Sequence, residues 1–440
     1  MLKKIIPMIV VIAVISMISG CASNVNYRSE LSACNYVKAG DCAQAAIQHY
    51  RKGTDEEYHL GFVEFDDQGQ LRQRAQLNKV LDYFYPIAGT EDVLLVTFVH
   101  GWHHSASPGD SNVMEFRNLL SRLAKAEAIN SRQHGHSPRK VLGMYIGWRG
   151  DSITIPWVNG VTFWERKNTA QNVGSQGVAE VFLKLEEIVN VKTGMGSESR
   201  DQHNSRLVIM GHSFGGAVVF TALQQILTDR FIDSRVGKTY QGNANGFGDL
   251  VVLLNPAFEA MRFAPLYDIS QQGCRRYFSS QLPKLAILTS EADGATAYAF
   301  PLGRFFSTMF ETHDTLERHY CNGEGRQAMW LDEGEADRKT VGHFETFRTH
   351  RLLPASTAAR SADFDFQSLQ QNWAKQKPGA NLLFEAVELQ HLNRTRPLNP
   401  YLNIYVDESL IGDHNDIWGD EVVSFIRDLI MISTMRSQKP

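Results

Sequence analysis

The stretch RLVIMGHSFGGAVVF, residues 206–220, decides the fold because it runs from an apolar segment into glycines with a single serine between them. Residues 206–211 predict a buried strand, and the helical pattern begins at Gly215. A serine at such a strand-to-helix turn is held in a strained conformation with its hydroxyl at the carboxyl end of the sheet. The stretch therefore predicts a nucleophile at Ser213. A glycine turn that only packs the helix against the sheet is the alternative.

Apolar runs and helical patterns alternate on both sides of this stretch. Further strands are predicted over 92–101, 140–148, 249–257, 284–290 and 401–406. Helices are predicted over 112–129, 168–190, 215–231 and 420–432. Continuous apolar strands that alternate with helices are typical of a mostly parallel sheet covered on both faces. The sequence thus predicts an α/β fold, with a mostly parallel sheet flanked by helices.

The predicted core consists of residues 58–294 and 401–440. The segments outside it differ from the core in composition and pattern. Residues 22–57 are polar and predict a tether, a small cysteine loop and a helix over 43–52. Residues 58–75 predict a β-hairpin around the turn DDQG. Residues 295–400 are too long for an unstructured loop and rich in aromatic side chains, which predicts a cap-like insertion. In it, the aromatics of 304–310 predict either an apolar wall for a substrate or the insertion's own core.

Residues 1–21 predict an export signal. Two lysines precede an apolar run from Ile5 to Ile18, which is too short for a comfortable membrane span. The ending Ile18-Ser19-Gly20-Cys21 resembles a bacterial lipobox, which implies that Cys21 is acylated, for example with palmitate, and anchors the chain in the cell envelope. Ala22 follows rather than an aspartate, which by the same resemblance implies the outer membrane. An ordinary signal peptide with a chance cysteine is the alternative.

Four further cysteines fit an exported protein. An even number in an oxidising compartment predicts two disulfides, although four cysteines allow three pairings. The short spacing of CNYVKAGDC favours Cys34 with Cys42, which leaves Cys274 with Cys321. The second bond is predicted to join two insertions above the carboxyl edge of the sheet, near Ser213.

A serine hydroxyl needs a base to take its proton and a third group to orient that base. His414 lies in the polar stretch IGDHNDIWGD, after the last predicted strand and before the last predicted helix. This junction predicts the base, with an ordinary surface histidine as the alternative. For the acid, Asp293 follows the strand 284–290 and is preferred, with Glu291 and Asp407 as the other candidates.

The stretch FVHGWHHSA supplies a further element at the end of the strand 92–101. The residue after the glycine, Trp102, is in position to donate its backbone N–H to an oxyanion, as is Phe214 after the serine. His100, His103 and His104 raise the alternative of a metal site, but no carboxylate follows at ligand spacing. We therefore predict no metal.

The chain resembles the α/β-hydrolase superfamily of serine esterases and lipase-like proteins over residues 92–300 and 400–434. The resemblance rests on HGW (100–102), GHSFGG (211–216), TSEAD (289–293) and GDHNDI (412–417), in this order and each at a strand end. It implies a Ser-Asp-His hydrolase that works through an acyl-enzyme without a cofactor. By the same resemblance the nucleophile, acid, base and two oxyanion donors are Ser213, Asp293, His414, Trp102 and Phe214.

These observations predict a lipid-anchored serine hydrolase that cleaves small-molecule or lipid carboxylic esters. A peptidase or amidase on the same fold and a non-catalytic envelope-binding lipoprotein are the alternatives. The formal net charge is −4, from 44 basic and 48 acidic residues, so the chain lacks the basic footprint of a nucleic-acid-binding protein. The expected contacts are therefore the substrate and, through Cys21, the membrane.

Overall fold

The computed structural model describes residues 25–38, 40–150, 159–194, 203–234, 241–355 and 365–435. The predicted signal segment 1–21, with Cys21, lies outside the described residues. Fourteen strands are described: β1 (Glu30–Tyr36), β2 (Ala45–Tyr50), β3 (Tyr58–Glu64), β4 (Val93–Val99), β5 (Lys140–Gly147), β6 (Arg206–His212), β7 (Leu250–Leu254), β8 (Leu285–Ser290), β9 (Thr315–Cys321), β10 (Arg326–Asp332), β11 (His350–Pro354), β12 (Asn381–Leu383), β13 (Val387–His391) and β14 (Tyr401–Val406).

The described helices surround these strands. They are α1 (Arg74–Thr90), α2 (Ser111–His134), α3 (Asn159–Ser175), α4 (Gly177–Val189), α5 (Val191–Gly194), α6 (Phe214–Asp233), α7 (Ala260–Gln271), α8 (Phe300–Ser307), α9 (Glu333–Arg338), α10 (Phe366–Ala374) and α11 (Asp420–Thr434). A π-helical turn, Ala295–Ala299, leads directly into α8.

Twelve strands form one sheet in the order β1-β2-β3-β5-β4-β6-β7-β8-β14-β11-β13-β12, and β9 pairs with β10 in a separate hairpin. All neighbours from β3 to β11 in this order run parallel. The central strands β4, β7 and β8 are buried at every position, which requires cover on both faces. The predicted α/β class with a mostly parallel, helix-flanked sheet is confirmed.

The helix predicted over 43–52 is wrong, since Ala45–Tyr50 form the strand β2. This strand pairs with β1 on one side and with β3 on the other. The buried Gln48 amide donates to the Cys42 carbonyl at 2.9 Å and accepts from Arg117 at 2.6 Å. The two ladders and these side-chain bonds outweigh the local helical preference of the alanines.

The predicted hairpin over 58–75 is replaced by a strand, a turn and a helix. Asp66 accepts the N–H groups of Gln68 and Gln70, which closes the turn after β3 with only an isolated bridge between Phe65 and Leu71. Helix α1 follows and buries an apolar stripe against the sheet. The same turn divides the helix predicted over 168–190, because the N–H of Gly177 donates to the carbonyl of Gly69 at 3.0 Å between α3 and α4.

Part of the segment 295–400 extends the central sheet. Strand β11 pairs in parallel with β14, and β13 and β12 continue the sheet beyond it in antiparallel order. The regular structure before β11 consists of the π-helical turn, helices α8 and α9, the β9–β10 hairpin and a 3₁₀ turn, Glu345–Phe347. The sequence predicted only a cap for this segment because its strands are short and alternate buried with half-exposed positions.

Both predicted disulfides are present, Cys34–Cys42 and Cys274–Cys321. The predicted position of the second, near Ser213, is wrong. Helix α7 starts after the carboxyl end of β7 and its twelve residues lead back across the sheet, about 18 Å. At its far end Ser270 accepts from Asn399 at 3.4 Å, two residues before β14 begins. The Cys274–Cys321 bond therefore lies towards the amino edge of the sheet.

The Cys274→Ser/Cys321→Ser double variant should lose stability and keep its chemistry. The bond closes a 47-residue loop, so its removal should lower the free energy of unfolding by about 4 kcal/mol. Urea unfolding and turnover of a small ester would be measured on the same protein. A selective loss of turnover without loss of stability would contradict the position of this bond.

Candidate active site

Ser213 occupies a strained turn between β6 and α6. Its φ and ψ are 54° and −121°, in a region that residues with a side chain rarely adopt. The Ser213 N–H donates to the Leu254 carbonyl at 2.9 Å, and the Ser213 carbonyl accepts from Ala217 and Ala257. The strain is therefore held by main-chain bonds to the neighbouring strand and to the first turn of the helix.

Two glycines allow the main chain to pass close to this turn. A β-carbon at Gly215 would fall inside contact distance of the carbonyl oxygens of Val99 and His100, at the end of β4. A β-carbon at Gly101 would lie 2.8 Å from Cβ of Ser213. Both positions exclude any side chain, so the loop after β4 can lie directly against the serine.

Gly215→Ala should destabilise the protein because the new methyl group meets main-chain atoms that cannot move aside. We expect a loss of about 2–3 kcal/mol in the free energy of unfolding by urea. Gly89→Ala is the matched control, since a β-carbon at this position in α1 meets nothing within 4 Å. The control should be neutral or slightly stabilising. Equal effects of the two substitutions would contradict the close packing at Gly215.

Ser213, His414 and Asp293 form a continuous hydrogen-bonded chain. The Ser213 hydroxyl donates to Nε2 of His414 at 2.7 Å, and Nδ1 of His414 donates to Oδ1 of Asp293 at 2.9 Å. Ser213 follows β6, Asp293 follows β8 and His414 follows β14. Because these strands are parallel, the three residues lie at the same edge of the sheet. A histidine in this arrangement has the tautomer that can accept the serine proton.

Asp293 is fully buried, and its surroundings favour the ionised carboxylate. Burial opposes its charge, but the hydrogen bond and charge of His414 and two hydrogen bonds from Thr296 outweigh that cost, so the pKa of Asp293 lies below its ordinary value. The two alternative acids are placed elsewhere. Glu291 accepts from Arg351 at 2.7 Å, and Asp407 lies 3.7 Å from the same guanidinium. Of the three candidates, Asp293 is the one bonded to His414.

A second histidine, His343, contacts Asp293 indirectly, through the hydroxyl of Thr296. The Thr296 hydroxyl donates to Oδ2 of Asp293, so the 3.1 Å contact with Nε2 of His343 requires the imidazole to donate to this hydroxyl. Burial lowers the pKa of His343 to about 4, which keeps the ring neutral near pH 7. Thr296 and His343 thus fix the orientation of the carboxylate.

The loop that carries His414 is anchored by polar residues that the sequence analysis missed. His212 donates from Nε2 to the His414 carbonyl at 2.9 Å, and Asn255 donates to the same carbonyl at 2.9 Å. Burial lowers the pKa of His212 to about 3, so this ring is neutral. The Ser290 hydroxyl donates to the Ile411 carbonyl at 2.6 Å. All three anchors stand at or next to the carboxyl end of a strand, and that position was the available signal.

The predicted oxyanion donors lie next to the serine. Phe214 is the first residue of α6, so its N–H has no carbonyl partner within the helix. Trp102 follows Gly101, and its ring lies 6.5 Å from the ring of Phe214 and 5.4 Å from the ring of Phe163. The Phe214 N–H therefore lies next to Ser213 with an aromatic wall beside it, and the loop that carries Trp102 lies against the serine at Gly101.

Two histidines of the HGWHH stretch, His100 and His104, form hydrogen bonds or ion pairs with structural elements near the loop. Nδ1 of His100 donates to the Gly101 carbonyl at 2.9 Å, and its Nε2 accepts from the Trp148 N–H at 3.0 Å. His104 lies against Asp110, which caps α2. Burial lowers the pKa of His100 to about 4. These bonds hold the loop after β4 against the end of β5 and the start of α2.

Groups of three potential metal ligands occur elsewhere in the described part of the chain, at His49, Glu57 and His59 and at Glu311, His313 and Asp337. The rings of His49 and His59 are stacked, with centroids 4.1 Å apart and planes at 22°. Nε2 of His49 contacts the Glu57 carboxylate at 2.7 Å, and Nδ1 of His59 contacts the Tyr83 hydroxyl at 2.9 Å. Neither group adjoins the Ser213 chain.

The fold and this geometry define an α/β protein with a Ser-His-Asp chain at the carboxyl edge of a mostly parallel sheet. Comparison of the chain with models of known protein families returns no match, and comparison with curated protein sequences returns none either. Among the described helices, none has the length and apolar character needed to cross a bilayer.

Proposed function

We propose that this chain is a serine hydrolase of the α/β-hydrolase type that cleaves carboxylic esters. The observation that carries the proposal is the chain of two hydrogen bonds from Ser213 through His414 to Asp293. These bonds join residues 201 and 121 positions apart in the sequence. The strained φ of 54° at Ser213 supports it further, because backbone strain of this kind is concentrated at functional sites.

In the proposed reaction Ser213 attacks the ester carbonyl while His414 takes its proton. The oxyanion accepts hydrogen bonds from the N–H groups of Trp102 and Phe214, and Asp293 stabilises the charged imidazole. His414 then protonates the departing alcohol, which leaves the acyl group on Ser213. A water molecule, deprotonated by His414, then attacks the acyl carbonyl, and His414 returns that proton to the Ser213 oxygen as the acid is released. The chemistry requires no cofactor.

A substrate panel tests this proposal. Purified protein would be given nitrophenyl esters of increasing acyl length and aminoacyl nitroanilides under the same conditions. We expect ester turnover that saturates with substrate, and lower turnover of the amides. Faster cleavage of the amides would identify a peptidase or amidase, and no cleavage of either class would support a binding protein.

The proposal includes a lipid anchor at Cys21, which places the enzyme at a bacterial envelope membrane. Several acyl chains on one cysteine hold a protein firmly, whereas a single chain binds reversibly. The anchor would bring the hydrolase to ester substrates dissolved in, or released from, that membrane. The lipobox-like residues 18–21 support this part of the proposal.

Cys21→Ser should release the protein from the membrane fraction or leave it unprocessed. Cell fractionation, with mass spectrometry of the N-terminal peptide, would measure both outcomes. Membrane association and processing equal to those of the unmodified chain would contradict acylation at this cysteine.

A further inference from the structure

An apolar stripe covers the outer face of the segment that follows Asp293. Five of the fourteen exposed large apolar side chains in the described part of the chain fall within thirteen residues. They are between 51% and 92% exposed: Tyr298, Leu302, Phe305, Met309 and Phe310. The spacing 298, 302 and 305 is that of one face of a helix, in agreement with the π-turn and helix α8, and Met309 and Phe310 follow the end of α8. The segment 304–310 thus turns Phe305, Met309 and Phe310 outward instead of packing them in a core.

The face of this segment opposite the stripe contains buried side chains. Thr296, Phe300 and Thr308 are buried on the opposite face. Arg304 is the one charged residue between 294 and 310, and it donates to Asp337 at 2.5 Å. Acidic side chains return only at Glu311. The stripe therefore presents apolar surface with no exposed acidic group along its length, which suits a bilayer surface.

The stripe and the start of the described chain lie at the same edge of the sheet. The N–H groups of Tyr27 and Arg28 donate to the carboxylate of Glu64 at 3.0 and 2.8 Å. Glu64 is the last residue of β3, which runs parallel to β5, β4 and β6. The chain therefore enters the structure at the carboxyl edge, where Ser213 also lies.

Distances along this edge are short. Strand β3 is three strand spacings from β6, about 14 Å, and β8, which leads to the stripe, is two spacings further, about 10 Å. Only three residues lie between Cys21 and Val25, and the four Cα–Cα steps place an acyl anchor on Cys21 at most about 14 Å from Val25. Such a short tether brings the carboxyl edge to the bilayer.

We propose that the stripe 298–310 docks on the lipid bilayer, so that the tethered chain holds the edge carrying Ser213, Asp293 and His414 against the membrane surface. The tether supplies a high local concentration, so a short apolar face suffices for docking. The orientation rests on the proposed acylation of Cys21. If the bilayer also supplies the substrate, an ester of the same membrane, this part of the inference rests on the proposed hydrolase function as well.

Site-specific fluorescence tests the docking without using activity. Full-length protein carrying Phe310→Cys would be labelled with a polarity-sensitive nitrobenzoxadiazole fluorophore and reconstituted in phosphatidylcholine vesicles that contain spin-labelled lipid. Ile232→Cys is the matched control, an exposed apolar position at the far end of α6, about 27 Å along the helix from Phe214. The unsubstituted protein gives the background from its own cysteines.

We expect the lipid spin label to remove most of the emission at position 310 and to leave the emission at position 232 unchanged. Quenching at 310 no stronger than at 232 would overturn the proposal. A blue shift at 310 that depends on protein concentration without vesicles would also overturn it, because a second copy of the chain would then cover the stripe.

The substrate reading has its own measurement. Leu302→Asp/Phe310→Asp should lower turnover of an ester dissolved in vesicles by about tenfold and leave turnover of a soluble short ester unchanged. Equal losses on both substrates would contradict a docking role for the stripe. If the unsubstituted protein did not hydrolyse the soluble ester, the proposed function would be contradicted instead. The quenching result would be unaffected.

Discussion

Ser213→Ala is expected to lower kcat for ester hydrolysis by about a millionfold, because the substitution removes the atom that forms the acyl-enzyme. The effect should be this large because the proposed Ser213, His414 and Asp293 act as one unit. His414→Ala should therefore cost a similar factor, and the double variant little more. The residual rate would come from substrate binding and the oxyanion N–H groups.

The fold should survive this substitution. Only the hydroxyl is lost, and the strained main chain is held by its N–H donating to Leu254 and its carbonyl accepting from Ala217 and Ala257, not by the side chain. Circular dichroism and urea unfolding of Ser213→Ala are the controls. Turnover within a few-fold of the unsubstituted protein would show that the nucleophile lies elsewhere.

Asp293→Asn should lower kcat by about 10⁴-fold. The asparagine amide is nearly the same shape but donates a hydrogen bond towards Nδ1 of His414, which then holds its proton on Nε2. A proton on Nε2 prevents the imidazole from accepting the proton of Ser213. Stopped-time assays with a soluble ester near neutral pH would measure the loss.

Glu291→Gln is the matched control for Asp293→Asn. It removes a carboxylate two residues away that accepts from Arg351 and makes no contact with His414 in the described structure. We expect a change in kcat of less than about threefold, as for other partly exposed surface ion pairs. The reverse ranking of the two variants would move the role of the acid to Glu291.

The sequence predicted those parts of the fold and site that depend on local pattern. The apolar runs that became β4, β6, β8 and β14 are continuous, and parallel strands bring their carboxyl ends to one edge. Ser213, Asp293 and His414 each follow such a run, which is why residues so distant in the sequence could be grouped before their contacts were known. The short spacing of Cys34 and Cys42 made that pairing predictable for the same local reason.

The remainder depends on contacts between distant segments. Ala45–Tyr50 have a helical composition and become a strand only because β1 and β3 flank them. Cys274 was expected near Ser213, and the length of α7 carries it to the opposite edge. The anchors His212 and Asn255 stand at strand ends, but the sequence does not show what they bind, because their partner is a main-chain carbonyl of the His414 loop and a carbonyl leaves no residue pattern.

Reaction with a fluorophosphonate probe reports directly on the activation of Ser213, because the probe bonds covalently to an activated serine hydroxyl. The folded full-length protein would be treated with the probe, digested and mapped by mass spectrometry, with heat-denatured protein and Ser213→Ala as controls. We expect one probe per chain, attached at Ser213, and no labelling of either control. Labelling at another residue, or none on the folded protein, would contradict an activated serine at position 213.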